Sequence, residues 1–143
     1  MYTGLKHLHS FVPYILLILL FATLLSAIVN TMKDSEYTKT HEKISLFTLI
    51  TSHIQLLIGI LLMFTSPIVA QGLSDMGAAM KDPTLRLYVV EHPTVMIVSV
   101  VLITMGRSRS KKRSGGARHK QIVIFYGLAL VLILSRIPWD AWM

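Results

Sequence analysis

The 143-residue chain contains no cysteine, and charged residues make up only 15% of it. Without cysteine the chain can form neither disulfides nor thiolate-bound iron–sulfur clusters, and it cannot attach haem covalently through a C-x-x-C-H motif. Noncovalent haem binding through histidine is not excluded. The first apolar run is long and no small-residue cleavage site follows it, so we expect the first helix to be retained rather than removed as a signal peptide.

Apolar residues dominate the composition, at 53% of the chain. A membrane-spanning helix needs about 20 mostly apolar residues, and four stretches meet that need: 11–29, 44–66, 87–105 and 122–139. Backbone groups in hydrocarbon must be paired within each segment, which favours helices over strands. We therefore predict an all-α integral membrane protein, a single domain over residues 1–143 that forms an up-down four-helix bundle. Its helices are expected at about 4–31, 41–66, 83–106 and 118–139.

Proline and cap residues refine these boundaries. Asp82-Pro83 is typical of a helix start, a capping side chain followed by proline at the first helical position. A helix starting at Pro93 instead would contain too few apolar residues to span, so Pro93 is predicted to lie inside the third helix as a kink. Thr3 and Thr40 are the expected caps of the first two helices.

The net charge of +7 is concentrated in one loop. Short loops rich in lysine and arginine stay on the cytoplasmic side, which places both termini outside. The membrane is expected to be a bacterial cytoplasmic membrane. Topology and anionic lipid headgroups explain the basic run better than nucleic acid does. Seven basic residues and no acidic one lie between the third and fourth helices: Arg107, Arg109, Lys111, Lys112, Arg113, Arg118 and Lys120.

Four histidines lie in or beside the apolar segments: His9, His53, His92 and His119. An imidazole in hydrocarbon is costly unless it is hydrogen-bonded or ligates something. The first and third helices run in one direction and the second and fourth in the other, so His9 can face His92 in the outer half and His53 can face His119 in the inner half. Neutral imidazole is a good iron ligand, and these two pairs are the candidate haem and metal ligands. The estimated depth offset within each pair is on the order of 10 Å.

Two charged side chains join the candidate site. Arg136, near the outer end of the fourth helix, could pair with haem propionates, or it could reach the outer headgroups beside Trp139 and Trp142. Glu91 could relay protons, orient a histidine or bind a quinol hydroxyl, or it could pair with Arg86.

The remaining candidates have ordinary explanations as well. The alternative for His53 is a hydrogen bond between helices, to a hydroxyl such as Thr51 or Ser52 of a neighbouring subunit or to a main-chain carbonyl freed by a proline. Taken singly, His7, His41 and His119 are each expected to be solvated near the interface, and His119 is a candidate only because of its helix position opposite His53. The methionines are expected to fill the core rather than ligate iron.

Parts of the sequence resemble known haem-binding membrane proteins. Residues 51–62, TSHIQLLIGILL, resemble the Gln-aliphatic-Gly helix of the haem A synthase superfamily, in which histidines on two flanking same-direction helices match His9 and His92. The whole chain is similar to small bacterial four-span proteins labelled cytochrome b, through Leu8-His9-Ser10, Val90-Glu91-His92-Pro93 and Ile137-Pro138-Trp139. The resemblance implies haem b. The second four-helix half and the outer-loop cysteine pair of haem A synthases are absent, so it implies a cofactor scaffold more than that activity.

The expected function is therefore electron transfer by a haem b-binding membrane protein, with one haem between His9 and His92 and a second possible between His53 and His119. Quinol or other membrane subunits would exchange the electrons, because the short loops offer little soluble surface. Such a chain is a carrier or subunit more than a stand-alone enzyme. The alternative is a cofactor-free accessory subunit of a larger membrane complex, whose histidines bond between helices. A third interpretation is a haem-modifying enzyme or haem chaperone.

Overall fold

The computed structural model describes residues 1–142, and in this range it contains helices and no strand. The all-α prediction is confirmed. The third long helix is continuous through a π-helical segment, Leu87–Glu91. The helices, numbered in chain order, are α1 Tyr2–Met32, α2 Lys39–Thr65, α3 Pro67–Ser74, α4 Met76–Lys81, α5 Pro83–Ser110, α6 Gly115–Ser135 and α7 Trp139–Trp142.

Four of these helices, α1, α2, α5 and α6, are long and apolar enough to cross a membrane. Their outward surfaces are apolar: Ile18, Leu25, Leu57 and Val131 are 58–69% exposed. In water such surfaces would be unfavourable, whereas lipid tails solvate them well. The prediction of a multi-pass membrane protein is confirmed at this level.

The four long helices form an up-down bundle in which α1 packs on α2 and α6, and α5 packs on α6 and α2. Helices α1 and α5 therefore face each other across the bundle axis. Both chain ends lie at one end, where the Trp142 indole donates to the Ser10 carbonyl at 2.8 Å. We call this the terminal end. We call the other end the basic end. There the Gly116 N–H, in the first turn of α6, donates to the Asp34 carboxylate at 2.8 Å, and this bond ties the loop between α1 and α2 to the start of α6.

The start of α2 differs from the prediction. Thr38 rather than Thr40 caps this helix, because the Thr38 hydroxyl and the His41 ring bond reciprocally to each other's backbone N–H groups. This arrangement is a capping box with histidine in the position that glutamate or glutamine usually occupies. Thr3 caps nothing, since α1 already begins at Tyr2.

Helix α5 starts and continues as predicted. The Asp82 carboxylate accepts from the Thr84 and Leu85 N–H groups at 2.9 and 3.3 Å. Pro93 lies inside the helix, directly after the π-helical segment. A proline ring clashes with the carbonyl four residues earlier in a regular α-helix, and the wider π turn relieves that clash.

Helix α6 ends earlier than predicted, at Ser135 instead of near residue 139. The proline at 138 disfavours helical geometry at Ile137 and has no N–H to donate. Arg136 therefore lies outside the helix, with its carbonyl free of intrahelical bonds. This earlier helix end leaves the Arg136 carbonyl available to a side chain of another helix.

The basic end is tightly packed. A Cβ on Gly106 of α5 would lie 2.6 Å from the Phe125 Cβ of α6, so glycine permits this close approach. Nearby, the buried Tyr126 hydroxyl donates to the Ser45 carbonyl at 2.9 Å. Small residues at helix contacts and hydroxyl bonds between helices are the usual sources of stability inside a membrane.

An ion-pair junction closes the same end. The Glu42 carboxylate of α2 binds Arg107 of α5 and, at 3.0 Å, Arg118 of α6. The Arg118 guanidinium also lies 3.9 Å from the centre of the Tyr37 ring, a cation–π contact. Three of the four long helices are thus joined at one carboxylate.

We predict that Gly106→Ala destabilises the bundle by about 1–3 kcal/mol, because the added methyl group overpacks the α5–α6 contact. Gly127→Ala is the matched control, since its Cβ would meet only the Leu24 Cδ1 at 3.7 Å, an ordinary contact. Thermal unfolding in detergent, followed by circular dichroism, measures both. Equal melting temperatures for the two variants would contradict this account of the packing.

Candidate functional site

The terminal half of the bundle encloses a cavity of about 610 Å³. Its walls come from α1, α2, α5, the end of α6 and the residues that follow it, and Ile68 and Val69 of α3 also line it. Most lining side chains are apolar. Cofactor and ligand sites generally occupy about 300–1,000 Å³ and combine apolar walls with a few polar groups. This cavity meets both conditions.

His9 of α1 and His92 of α5 face each other across this cavity. Their ring centres lie 6.1 Å apart and their planes are nearly perpendicular, at 85°. The two helices are diagonal neighbours, so the rings approach from opposite walls near the bundle axis. The structure thus brings together the two histidines of the predicted outer pair.

The His92 ring is held by a main-chain carbonyl. Its Nδ1 lies 2.8 Å from the Arg136 oxygen. A carbonyl can only accept, so Nδ1 carries the proton, and in the neutral ring Nε2 keeps its lone pair. Metal-binding histidines commonly have this arrangement, with one nitrogen donating to a carbonyl and the other free to ligate.

Two residues of α2 position His9. The Gln55 amide donates to the His9 carbonyl at 2.9 Å and holds the α1 backbone in place. One turn further along α2, a Cβ on Gly59 would lie only 3.2 Å from the His9 Cε1, so glycine leaves space for the ring. His9 Nδ1 and the Gln55 Oε1 are buried and have no hydrogen-bond partner within the described residues. Unpaired buried polar atoms are uncommon and often mark functional positions.

His9 and His92 offer only two ligands, so they suit a metal that already carries most of its ligands in a cofactor. Across residues 1–142 no group of three or more histidine or acidic residues could hold a bare metal ion. Haem iron needs at most two axial ligands from the protein. A bond of about 2 Å joins a metal to an imidazole nitrogen, and the ring centre lies about 1.1 Å beyond that nitrogen. Two imidazoles that bind one metal from opposite sides would therefore have ring centres roughly 6 Å apart. The ring-centre distance of 6.1 Å between His9 and His92 is compatible with that spacing.

Arg136 contributes differently from the prediction. Its guanidinium does not line the cavity and instead donates to the Ser135 carbonyl at 2.8 Å. Because α6 ends at Ser135, the Arg136 backbone turns toward His92 and its carbonyl becomes the residue's contact with the site. The expected role in binding propionates is not supported by this placement.

Glu91 also lies outside the cavity lining. Successive residues of a helix point about 100° apart, so Glu91 faces away from the wall to which His92 belongs. Its carboxylate accepts from the Arg86 Nε at 2.9 Å, and the Arg136 Nε lies 3.8 Å away. The alternative interpretation of Glu91, pairing with Arg86, describes its position.

His53 is exposed on the outer surface of α2, and its Nδ1 lies 2.8 Å from the Leu49 carbonyl of its own helix. The neighbouring Ser52 and Gln55 take the inward positions and line the cavity. His53 therefore does not lie inside the bundle, where it was expected to face His119, because Ser52 and Gln55 occupy the inward face of α2.

His119 is buried at the basic end, only 1% exposed. Its ring packs edge-on against His41, with ring centres 4.6 Å apart, and at a tilt against Tyr37, with ring centres 4.9 Å apart. Helices α2 and α6 are diagonal and His53 points outward, so the structure does not bring the predicted inner pair together. His41, expected to be merely solvated, is the histidine that contacts His119.

Three residues that line the cavity were not predicted: Tyr2, Lys6 and Tyr88. They lie between the two histidines and the terminal end, in the part of the cavity that we call its mouth. A signal for them was present. Tyr2 and Lys6 precede His9 by seven and three residues, and Tyr88 precedes His92 by four. These spacings put each residue on the same helical face as its histidine.

Comparison with known proteins gives no match: no family model, curated protein or solved structure is significantly similar to the chain. The interpretation of the site therefore rests on its geometry and on the residue types that form it.

Proposed function

We propose that the chain binds one haem b between His9 and His92 and acts as an electron-transfer protein of the membrane. The observation that carries the proposal is the pair of perpendicular imidazoles, 6.1 Å apart, inside an apolar cavity of about 610 Å³. Bound haem would supply reversible one-electron chemistry that no side chain of the cavity offers.

The protein's own residues prepare the site. The Arg136 carbonyl fixes the His92 tautomer and ring orientation, and the Gln55 amide holds the His9 backbone. Such supporting bonds raise ligand basicity and set ring orientation. The apolar walls, including Leu16 and Ile133, would exclude water from around a bound haem. A dry site limits side reactions and tunes the reduction potential.

One haem per chain is proposed rather than two. The exposed position of His53 leaves no second axial pair of the predicted kind. The resemblance to cytochrome b-labelled proteins and to one half of a haem A synthase supports the same single site, since Gln55 of the resembling helix bonds to His9 and Gly59 leaves space for its ring.

We further propose the orientation in the membrane. The lysine- and arginine-rich basic end would face the cytoplasm of a bacterium, and both termini would lie outside. The cavity is then near the outer face of the cytoplasmic membrane. Quinol or a partner subunit embedded in the same bilayer would exchange electrons there, because the long helices present apolar surfaces to their surroundings.

The proposal predicts the visible spectrum of protein purified from cells supplied with haem. Sharp reduced α and Soret bands are expected, with a pyridine haemochrome assay giving one haem per chain. Two haems per chain would contradict the single site. A spectrum with protein absorbance alone would overturn the proposal and favour the cofactor-free accessory subunit.

Ligand substitutions test the site itself. We expect His9→Ala or His92→Ala to lower haem affinity at least tenfold, as losses around metal sites commonly do. His53→Ala is the control: its ring bonds only to its own helix, so haem content and reduction potential should not change. Unchanged haem content and potential in His92→Ala would show that the ligand assignment is wrong.

The absence of cysteine makes the orientation directly testable. Ser74→Cys at the terminal end should react with a membrane-impermeant maleimide in intact cells. Ser114→Cys at the basic end should react only after the cells are permeabilised. The reverse pattern would invert the proposed topology and leave the haem site untouched.

A further inference from the structure

Along α1, from the terminal end toward the middle of the bundle, the cavity lining changes from polar to apolar. Tyr2 and Lys6 line the mouth from the first turns of α1, whereas Leu16 lines the floor from the same helix. The ten residues from Lys6 to Leu16 correspond to roughly 15 Å along a helix. Ile133 of α6 and Val100 of α5 complete the apolar floor.

Lys6 is the one charged side chain that lines the cavity within residues 1–142. It is exposed and forms no salt bridge to any described acidic residue. Tyr2, Lys6 and His9 share one face of α1, and Tyr88 shares a face of α5 with His92. A cation and two phenol hydroxyls therefore surround the mouth on the side of both histidines.

We infer that the cavity takes an amphiphile with an apolar body and a carboxylate edge, and that the carboxylates lie at the mouth beside Lys6. The inference rests on the proposed function. If the amphiphile is haem, its two propionates point toward the terminal end of the bundle. The reverse orientation would move carboxylates from water to the apolar floor with no described cation beside them, at a high desolvation cost. Lys6, rather than the Arg136 side chain, then compensates the propionate charge.

Titration of the haem-free protein in detergent with hemin and with hemin dimethyl ester, whose propionates carry no charge, tests this assignment. We expect Lys6→Met to weaken hemin binding roughly fivefold, the effect of losing one exposed ion pair. It should leave binding of the ester unchanged. Lys6→Arg should restore the wild-type preference for hemin over the ester. Lys81→Met, which alters an exposed lysine outside the cavity, should behave as wild type.

The possible results separate the two proposals. If wild type binds neither compound, the proposed haem function fails. If wild type binds hemin but Lys6→Met weakens hemin and ester equally or not at all, the haem site stands and the orientation is wrong. An equal loss of the hemin preference in Lys81→Met would also overturn the inference, because any surface lysine would then have the same effect as Lys6.

Discussion

The junction at Glu42 is the interaction on which the rest of the bundle depends. A carboxylate inside a membrane protein must be paired, and Glu42 is paired with arginines from two other helices. This junction, with Gly106 against Phe125 beside it, draws α2, α5 and α6 together at the basic end. The cavity lies between the terminal halves of the same helices. Tight packing at one end and a site at the other are therefore two consequences of one arrangement.

Among the described residues, the unpaired buried side-chain atoms lie in two places: Arg107 Nε is at the basic end, and His9 Nδ1 and Gln55 Oε1 are beside the cavity. Thr23 and Thr48 bond to each other at 3.0 Å, and Ser52 and Ser99 bond to carbonyls of their own helices. These groups are satisfied without any ligand. Polar atoms of His9 and Gln55, in contrast, are buried without partners beside the cavity. Since burying an unpaired polar atom is costly, their position argues that the cavity binds something.

Much of the fold followed from the sequence, but the rotation of the helices did not. Four spans, the Asp82 cap and an internal Pro93 depend on local composition and were predicted correctly. The direction in which His53 points depends on which face of α2 is inward, and a helix with apolar residues on all sides gives little indication of that face. The position of Arg136 depends on a related detail: because α6 ends a few residues earlier than predicted, the Arg136 carbonyl rather than its side chain contacts His92.

The two histidine pairs that the structure contains show why histidine in a membrane helix does not by itself indicate a cofactor. At the basic end, His41 caps α2 and its ring packs edge-on against His119 at 4.6 Å. The space beside them, about 10 Å³, is enough for at most one water molecule. At the terminal end, His9 and His92 are 6.1 Å apart beside about 610 Å³. The first pair is explained by capping and packing alone. In the second pair, His9 and His92, a hydrogen bond orients the His92 ring and a cavity lies beside both rings. Capping and packing do not account for these features, which support a cofactor at the terminal end.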